Sequence, residues 1–298
     1  MWQFFALGSL FASAGESVVD KYALVSDRKI DYVVATFWRL LFFSLLTLAV
    51  GVIGWAGPLH LALTPAVVFI AFLSLLNSLC YTYLMWHVEV TEIGVIAYLA
   101  PFAFLGIDTT ILQTHFSSGE IVGIILLVLG GLGFAIDAKT HHMKKDLSLR
   151  VWVMFAFGIF FTGALAYTLK YVNANGINSV SFFVSYGLLA SAGLLAITIL
   201  RGRSRKLFAK PALVYLPRIL ISKAFDTVSS LFWAQALLLA SVSKVSAIGA
   251  LQPFVLFVLT VFMQKVLKMR VDEKLNRTRM EWKAAAMCFL VVGGMLVT

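Results

Sequence analysis

The segment VTEIGVIAYLAPF, at residues 90–102, returns in the second half of the chain as VSKVSAIGALQPF, at residues 242–254. When Pro101 is aligned with Pro253, small residues match small residues through most of the stretch, and both copies end in proline followed by phenylalanine. A repeat of this kind indicates that the chain is built from two copies of one unit.

Two other features recur at corresponding places. Lys21 and Lys170 close the first apolar helix of each half, and Gly130-Gly131 corresponds to Gly293-Gly294 in the last helix of each half. Because these anchors fall in the same order, the repeat extends over the whole chain.

The composition is that of a membrane protein. Of the 298 residues, 61% are hydrophobic and 13% are charged, and the mean hydropathy is +0.93; a soluble domain carries about 25% charged residues. A helix that spans a bilayer needs about 20 mainly apolar residues, because no backbone group that faces lipid can remain unpaired. The apolar runs of suitable length are residues 2–19, 32–54, 65–86, 91–112, 119–136, 151–172, 180–200, 213–239, 243–267 and 282–297.

These runs predict an all-α membrane protein with ten transmembrane helices, arranged as two inverted-topology repeats of five helices. The first repeat is residues 1–137, the second is residues 151–298, and residues 138–150 form the connecting loop. Since five is an odd number, the second copy enters the membrane from the opposite side. Two inverted copies can exchange conformations and open a central site to each face in turn, which is alternating access.

Several short motifs of the chain resemble those of a known family. They are ESVVDKY at residues 16–22, FWRLL at 37–41, APF at 100–102, QPF at 252–254, and the repeated Gly-Gly at 130–131 and 293–294. Together they resemble the drug/metabolite transporter superfamily, EamA type. The resemblance implies two EamA units around a central cavity, no shared catalytic residues, and export or exchange of metabolites such as amino acids, sugars or nucleotide derivatives. The chain departs from the family at residues 55–60, WAGPLH, where a basic connection is usual.

Polar side chains within the predicted helices mark the candidate site. A charge at the bilayer centre costs about 2.5–3.5 kcal/mol on insertion scales, so each charged residue there needs a cavity or a partner. The candidates for substrate binding or cavity lining are Ser13, Glu16, Arg39, Asn77, Tyr81, Tyr98, Asp108, Lys223, Asp226, Ser230, Trp233 and Gln252.

The two basic candidates each allow two interpretations. The planar guanidinium of Arg39 can bind a carboxylate or phosphate, or it can pair with Glu16 or Asp108 as a structural bridge. Lys223 and Asp226 are spaced for an i,i+3 ion pair, which either contributes to solute specificity or only neutralises itself.

Two further roles are predicted for ionisable side chains. Glu16 and Asp226 are the candidates for proton coupling, because a partly desolvated carboxylate can load and release a proton near neutrality. Glu92 and Lys244 occupy equivalent positions of the repeat with opposite charge. We expect them to pair as a gate.

Several classes of function are disfavoured. The five histidines lie in connections or at membrane edges, and no metal-ligand cluster or GxxxxGK[ST] loop is present in the sequence. We therefore expect no metal, no cofactor, no catalytic residues and no direct use of ATP. The predicted function is a secondary transporter, an exporter or exchanger of small organic metabolites. The alternatives are a membrane-embedded lipid-modifying enzyme and a cation channel or permease.

The net charge is +10, and the basic residues lie mostly in short connections between apolar runs. This placement indicates contact with lipid headgroups and not with nucleic acid. Most of the 24 lysines and arginines lie on one side, so the positive-inside rule puts both termini outside, whereas the resemblance implies cytoplasmic termini. We follow the charge count. The expected location is the cell membrane, and ten helices can enclose a cavity within a monomer.

Overall fold

The computed structural model describes residues 1–26, 31–53, 59, 61–87, 95–135, 149–202, 204–265 and 277–297. Within these residues it is all-helical, with no β-strand. The helices are α1 (Trp2–Ser26), α2 (Tyr32–Val52), α3 (Pro65–His87), α4 (Val95–Thr110), α5 (Ser118–Ala135), α6 (Leu149–Ala174), α7 (Ser179–Leu200), α8 (Lys210–Leu239), α9 (Val242–Gly249), α10 (Gln252–Lys265) and α11 (Arg277–Val297). A single helical turn at Ser204–Leu207 precedes α8.

The outer surface of the helix bundle is apolar. Four of the described helices are long and apolar enough to cross a membrane, namely Tyr32–Val52, Pro65–Met85, Arg150–Ala174 and Ser179–Leu200. Large apolar side chains are exposed along many helices, among them Phe11, Phe69, Phe72, Ile125, Phe160, Ile221 and Val292. Exposed apolar surface on this scale indicates contact with lipid tails.

The helix bounds differ from the predicted spans at several places, and the last helix begins at Arg277 and not at residue 282. The first helix continues to Ser26, and α8 already begins at Lys210. The predicted span 243–267 is interrupted, because α9 ends at Gly249 and α10 begins at Gln252. The break, at residues 250–251, lies in the turn ahead of Pro253, which has no N–H to donate to the carbonyl four residues earlier.

The structure describes little of the predicted connecting loop 138–150. Only its last two residues fall within the described part of the chain, and they belong to α6, which begins at Leu149. The predicted boundaries of the two repeats therefore remain expectations.

The helices α1 and α8 pack along each other in opposite directions. The ring of Phe232 lies against Gly8 near the start of α1, and the ring of Phe225 lies against Gly15, about two turns further along the same face. Because higher numbers on α1 meet lower numbers on α8, the pair is antiparallel. The glycines leave room for the two rings, which brings the helix axes together.

Two other long-range pairs are antiparallel by the same test. In α2 and α7, Gly51 lies near Val180 and Gly187 lies near Ser44. In α5 and α11, three contacts run in reverse order, joining Gly123 to Val297, Gly130 to Leu290 and Gly133 to Ala286. Along this α5–α11 seam the backbones approach closely because glycine has no side chain.

Most buried hydroxyls outside the centre of the bundle bond to their own helix. The side chains of Ser44, Thr47, Ser191 and Thr198 each donate to a carbonyl four residues earlier, at 2.7–2.8 Å. Such bonds satisfy the hydroxyl inside an apolar environment without a partner from another helix. These serines and threonines are therefore structural.

The α5–α11 seam predicts different effects for two adjacent glycines. A Cβ at Gly293 would lie 2.8 Å from both the carbonyl oxygen of Gly123 and the backbone nitrogen of Leu127, whereas a Cβ at Gly294 would meet no atom of the described residues within 4 Å. Forcing helices apart costs about 1–3 kcal/mol, and alanine favours an open helix position by up to about 1 kcal/mol. We expect Gly293→Ala to lower the melting temperature in detergent and Gly294→Ala to leave it equal or higher. Equal melting temperatures for the two variants would contradict the close packing of α5 on α11 at Gly293.

Candidate functional site

A cavity of about 350 Å³ lies between α1, α3 and α4 on one side and α6, α8, α9 and the start of α10 on the other. Its volume falls near the lower end of the range of about 300–1,000 Å³ for small-molecule sites. Helices from both halves of the chain therefore contribute to its wall.

The helix α1 presents a row of hydroxyls to this cavity. Ser9, Ser13 and Ser17 recur every fourth residue, which places them on one face of the helix. Ser9 Oγ lies 3.1 Å from the Oγ of Ser229 in α8, which also lines the cavity. The row ends at Ser17, which directly follows Glu16, one of the buried charges described below.

The break between α9 and α10 forms part of the cavity wall. Gly249 and Gln252 both line the cavity, and Gln252 Nε2 donates a hydrogen bond to Ser13 Oγ at 3.1 Å. This bond joins the broken helix to α1. A discontinuous helix at the central cavity is a common feature of transporter sites.

Four further residues from the predicted set line the cavity. Asn77 and Tyr81 come from α3, and Ser230 and Trp233 come from α8. The two rings provide flat apolar surfaces with a polar group at the edge, which suits stacking against a solute.

A charge cluster lies beside the cavity and comprises Glu16, Asp20, Arg39, Lys223 and Asp226. Arg39 Nη2 lies 2.5 Å from Asp20 Oδ2 and 3.5 Å from Glu16 Oε1. The hydroxyl of Ser222 donates to Asp20 Oδ1 at 2.5 Å. Arg39 thus joins α2 to α1.

Lys223 completes the charge cluster. Its Nζ pairs with Glu16 and lies 2.7 Å from Asp226 Oδ2, so the i,i+3 pair predicted from the spacing is present. The side chains of Lys223 and Arg39 are only 5% and 9% exposed. Two cations face three carboxylates, so the cluster carries one excess negative charge when every member is ionised.

Two residues connect the charge cluster to the cavity. Ser230 lines the cavity and its Oγ lies 3.4 Å from Asp226 Oδ1. Tyr81 also lines the cavity, and the guanidinium carbon of Arg39 lies 4.9 Å from the centre of its ring. A solute in the cavity can therefore act on the charges through these two side chains.

The Asp108 cluster comprises Asp108, Tyr167 and Ser243, and it joins α4, α6 and α9. The buried Asp108 accepts hydrogen bonds from the Ser243 backbone nitrogen at 2.9 Å, from Ser243 Oγ at 2.6 Å and from the Tyr167 hydroxyl at 3.1 Å. Nearby, Lys170 Nζ donates to the Ala240 carbonyl at 2.6 Å. These bonds hold the beginning of α9 in place.

The two clusters lie at opposite ends of the cavity. Along α8, Lys223 and Asp226 come first, the cavity residues Ser229 and Trp233 follow, and Ala240, the acceptor for Lys170, comes directly after the helix. At a rise of 1.5 Å per residue, Asp226 and Ala240 are about 20 Å apart along the axis.

Of the predicted gate residues Glu92 and Lys244, the structure describes the contacts of Lys244 alone. Lys244 pairs with Glu120 at the start of α5, and its Nζ lies 5.7 Å from the centre of the Phe116 ring. Glu92, the partner expected for Lys244, lies outside the described residues, as does the side chain of Tyr98. The pairing of Glu92 with Lys244 therefore stays a prediction.

Several residues that line the cavity are not among those predicted from the sequence. Ser17, Thr162, Ser229 and Ser246 all contribute to its wall. The four-residue spacing from Ser9 through Ser17 is a signal that predicts the first of them. The other three are single hydroxyls on apolar helices, and only their packing partners distinguish them from structural serines and threonines. Within the described residues, no group of three or more His, Cys, Asp or Glu side chains could hold a metal ion.

The charge cluster predicts a large effect of removing one cation. Breaking a buried ion pair costs about 3–5 kcal/mol, because the partner charge is left uncompensated. We expect Arg39→Met to destabilise the protein by about this amount. The matched control is Lys206→Met, since Lys206 is 58% exposed and pairs with Asp31 at 3.5 Å; an exposed pair is worth about 1 kcal/mol or less. If thermal unfolding in detergent gives both variants the same small loss, the cluster does not hold α1 and α2 together.

Known proteins resemble this chain in two ways: a solved structure shares its fold, and a family model matches its first 136 residues. No curated protein matches the sequence. Among 28 solved chains that match, one described only as "Crystal structure of protein" is 12% identical, with a TM-score of 0.70, over 100% of this chain and 96% of that one. The EamA-like transporter family model matches residues 1–136. With its apolar helices, the protein is an integral membrane protein. Residues 1–136 are therefore similar to a unit of the EamA-like transporter family, which belongs to the drug/metabolite transporter superfamily.

Proposed function

We propose that the protein is a secondary transporter that carries a small organic solute through the central cavity by alternating access. The observation that carries this proposal is a cavity with polar groups on its wall, set between helices of both halves inside a bundle with an apolar exterior. A core that served stability alone would be filled with apolar side chains. The match of residues 1–136 to a transporter family model supports the same function.

The two halves are proposed to be inverted repeats, with a second EamA-like unit at residues 151–298. In an inverted pair, equivalent helices run in opposite directions across the membrane. The second helices of the two halves, α2 and α7, are antiparallel, and so are the last helices, α5 and α11. Each of these pairs also packs directly together, as expected where a pseudo-twofold axis passes between equivalent helices.

The charge cluster and the Asp108 cluster are proposed as the two gates. Each cluster joins helices from both halves at one end of the cavity, so separating its members would open that end. Nη1 of the buried Arg39 has no hydrogen-bond partner among the described residues. A buried donor left unpaired costs about 1–3 kcal/mol, which lowers the free energy needed to open that gate.

Proton coupling is proposed to act through Glu16 and Asp226 in the charge cluster. The excess of one carboxylate means that a single proton neutralises the cluster. Asp226 is the more exposed of the two, and its bond to Ser230 links it to the cavity wall. Binding of the solute and loading of the proton would then influence each other. We place the protein in the cell membrane, with a monomer as the functional unit.

Alternating access predicts one-sided accessibility of the cavity. In a background without Cys80 and Cys288, we introduce single cysteines through Ser17→Cys and Ser246→Cys and label them with a membrane-impermeant maleimide in sealed vesicles. We expect both positions to react from the same single side. Adding Asp108→Ala should shift the reaction toward the side of the Asp108 cluster, because the bonds to Ser243 and Tyr167 are lost.

The control for labelling is Ser191→Cys, because Ser191 is buried and lies outside the cavity. It should stay unlabelled from both sides. Simultaneous labelling of the cavity positions from both sides would indicate an open channel and would exclude alternating access.

The proton-coupling proposal predicts that Glu16→Gln removes the pH dependence of transport. The amide keeps the size of the side chain but cannot take up a proton. The control is Asp31→Asn, since Asp31 caps the start of α2 and asparagine caps a helix equally well. We would measure solute uptake into proteoliposomes over a range of pH with both variants. Uptake by Glu16→Gln with the full pH dependence of the wild type would exclude Glu16 as the coupling group.

A further inference from the structure

We propose that the solute is an uncharged molecule with hydroxyl or carboxamide groups on one side and an apolar face on the other. This inference rests on the proposed transport function and concerns the chemistry of the same cavity. It follows from the wall of the cavity, from the pairing of the charges beside it and from two polar groups that have no partner.

The polar part of the wall is made of hydroxyl and amide groups. They come from the serines Ser9, Ser13 and Ser17 of α1, from Asn77 of α3 and from Gln252 of α10. Each of these groups can both donate and accept hydrogen bonds. Such a surface matches a solute whose own groups also do both, as hydroxyls and carboxamides do.

Among the cavity-lining residues that the structure describes, none carries a charge. The nearest charged groups belong to the charge cluster, where Arg39 and Lys223 already pair with three carboxylates. A solute with a net charge would enter the cavity without a counter-charge. Burying an unpaired charge costs several kcal/mol, so the site disfavours ionic solutes.

Two groups on the wall are available for a solute. Within the described residues, the Asn77 side chain and the Ser246 hydroxyl make no hydrogen bond, although Ser246 is only 9% exposed. Other wall groups already have partners, such as Ser13 with Gln252 and Ser9 with Ser229. Asn77 is therefore the residue that we expect to bind the solute most directly.

The apolar face of the solute would lie on the remaining wall. Trp233, Leu10, Met85 and Leu165 line the cavity together with the Tyr81 ring. A volume of about 350 Å³ suits a single ring system with a few substituents and not a long chain.

The test compares neutral compounds with charged relatives of nearly the same shape. The pairs are nicotinamide with nicotinate and methyl glucoside with methyl glucuronide. Binding is measured as thermal stabilisation of the detergent-solubilised protein, and transport as uptake into proteoliposomes. We expect the neutral member of at least one pair to bind about tenfold or more tightly than its charged relative.

A variant links this selectivity to the site. Asn77→Leu should weaken binding of the neutral compound by about tenfold or more, because the lost hydrogen bonds are not replaced. Ser191→Ala is the control, because that hydroxyl bonds only to the Gly187 carbonyl of its own helix and lies outside the cavity. It should leave binding unchanged.

Three outcomes would overturn the inference. Preference for the charged members with saturable uptake would exclude the neutral class and leave the transport function intact. Failure of every neutral compound to bind the folded protein would also exclude the class, while the labelling experiment above judges the transport function independently. Unchanged affinity in Asn77→Leu would show that the solute does not bind at this wall of the cavity.

Discussion

The contact between Lys223 and Glu16 determines how the two halves of the bundle meet. A lysine buried in an apolar bundle needs a carboxylate, and this one takes one of its two partners, Glu16, from α1, far away in the sequence. The pairing fixes the register of α1 against α8, so Ser9 faces Ser229 and Gly15 receives the ring of Phe225. The same register turns the serines of α1 toward the cavity.

The two clusters proposed as gates use different chemistry. The charge cluster uses ion pairs, whereas the Asp108 cluster uses one carboxylate with hydroxyl and backbone donors. Opening the first end exposes charges to water, and their hydration offsets much of the Coulomb energy that is lost. Opening the second end uncovers the start of α9, whose N–H groups then need water as a partner. In both cases water replaces the broken contacts, so neither conformation need be strongly favoured.

Much of the helical architecture follows from the sequence, because long apolar runs in lipid have few other solutions. The i,i+3 pair of Lys223 and Asp226 was also predictable, since it depends only on local spacing. By contrast, Asp20 as the closest partner of Arg39 depends on how α1 and α2 both pack on α8, which spacing does not encode. The proline positions illustrate the same limit: Pro101 lies within a continuous α4, whereas the helix is broken just before Pro253.

The cavity residues were predictable only in part for a related reason. A serine in an apolar helix either bonds to its own backbone, as Ser191 does, or faces a shared space, as Ser246 does. The two have the same local sequence signal, and only the tertiary packing separates them. Asn77, Tyr81 and Trp233 were easier to select, since large polar or amphipathic side chains need a special environment inside a bundle.

The glycine seam between α5 and α11 also bears on how the protein is made. The two helices touch through Gly123, Gly130 and Gly293, yet α6 through α10 separate them in the chain. During synthesis the glycine face of α5 therefore enters the bilayer well before its partner and meets lipid in the meantime. Until α11 arrives, that face offers any passing helix a close fit, so fast completion of the chain protects the protein from pairing with the wrong neighbour.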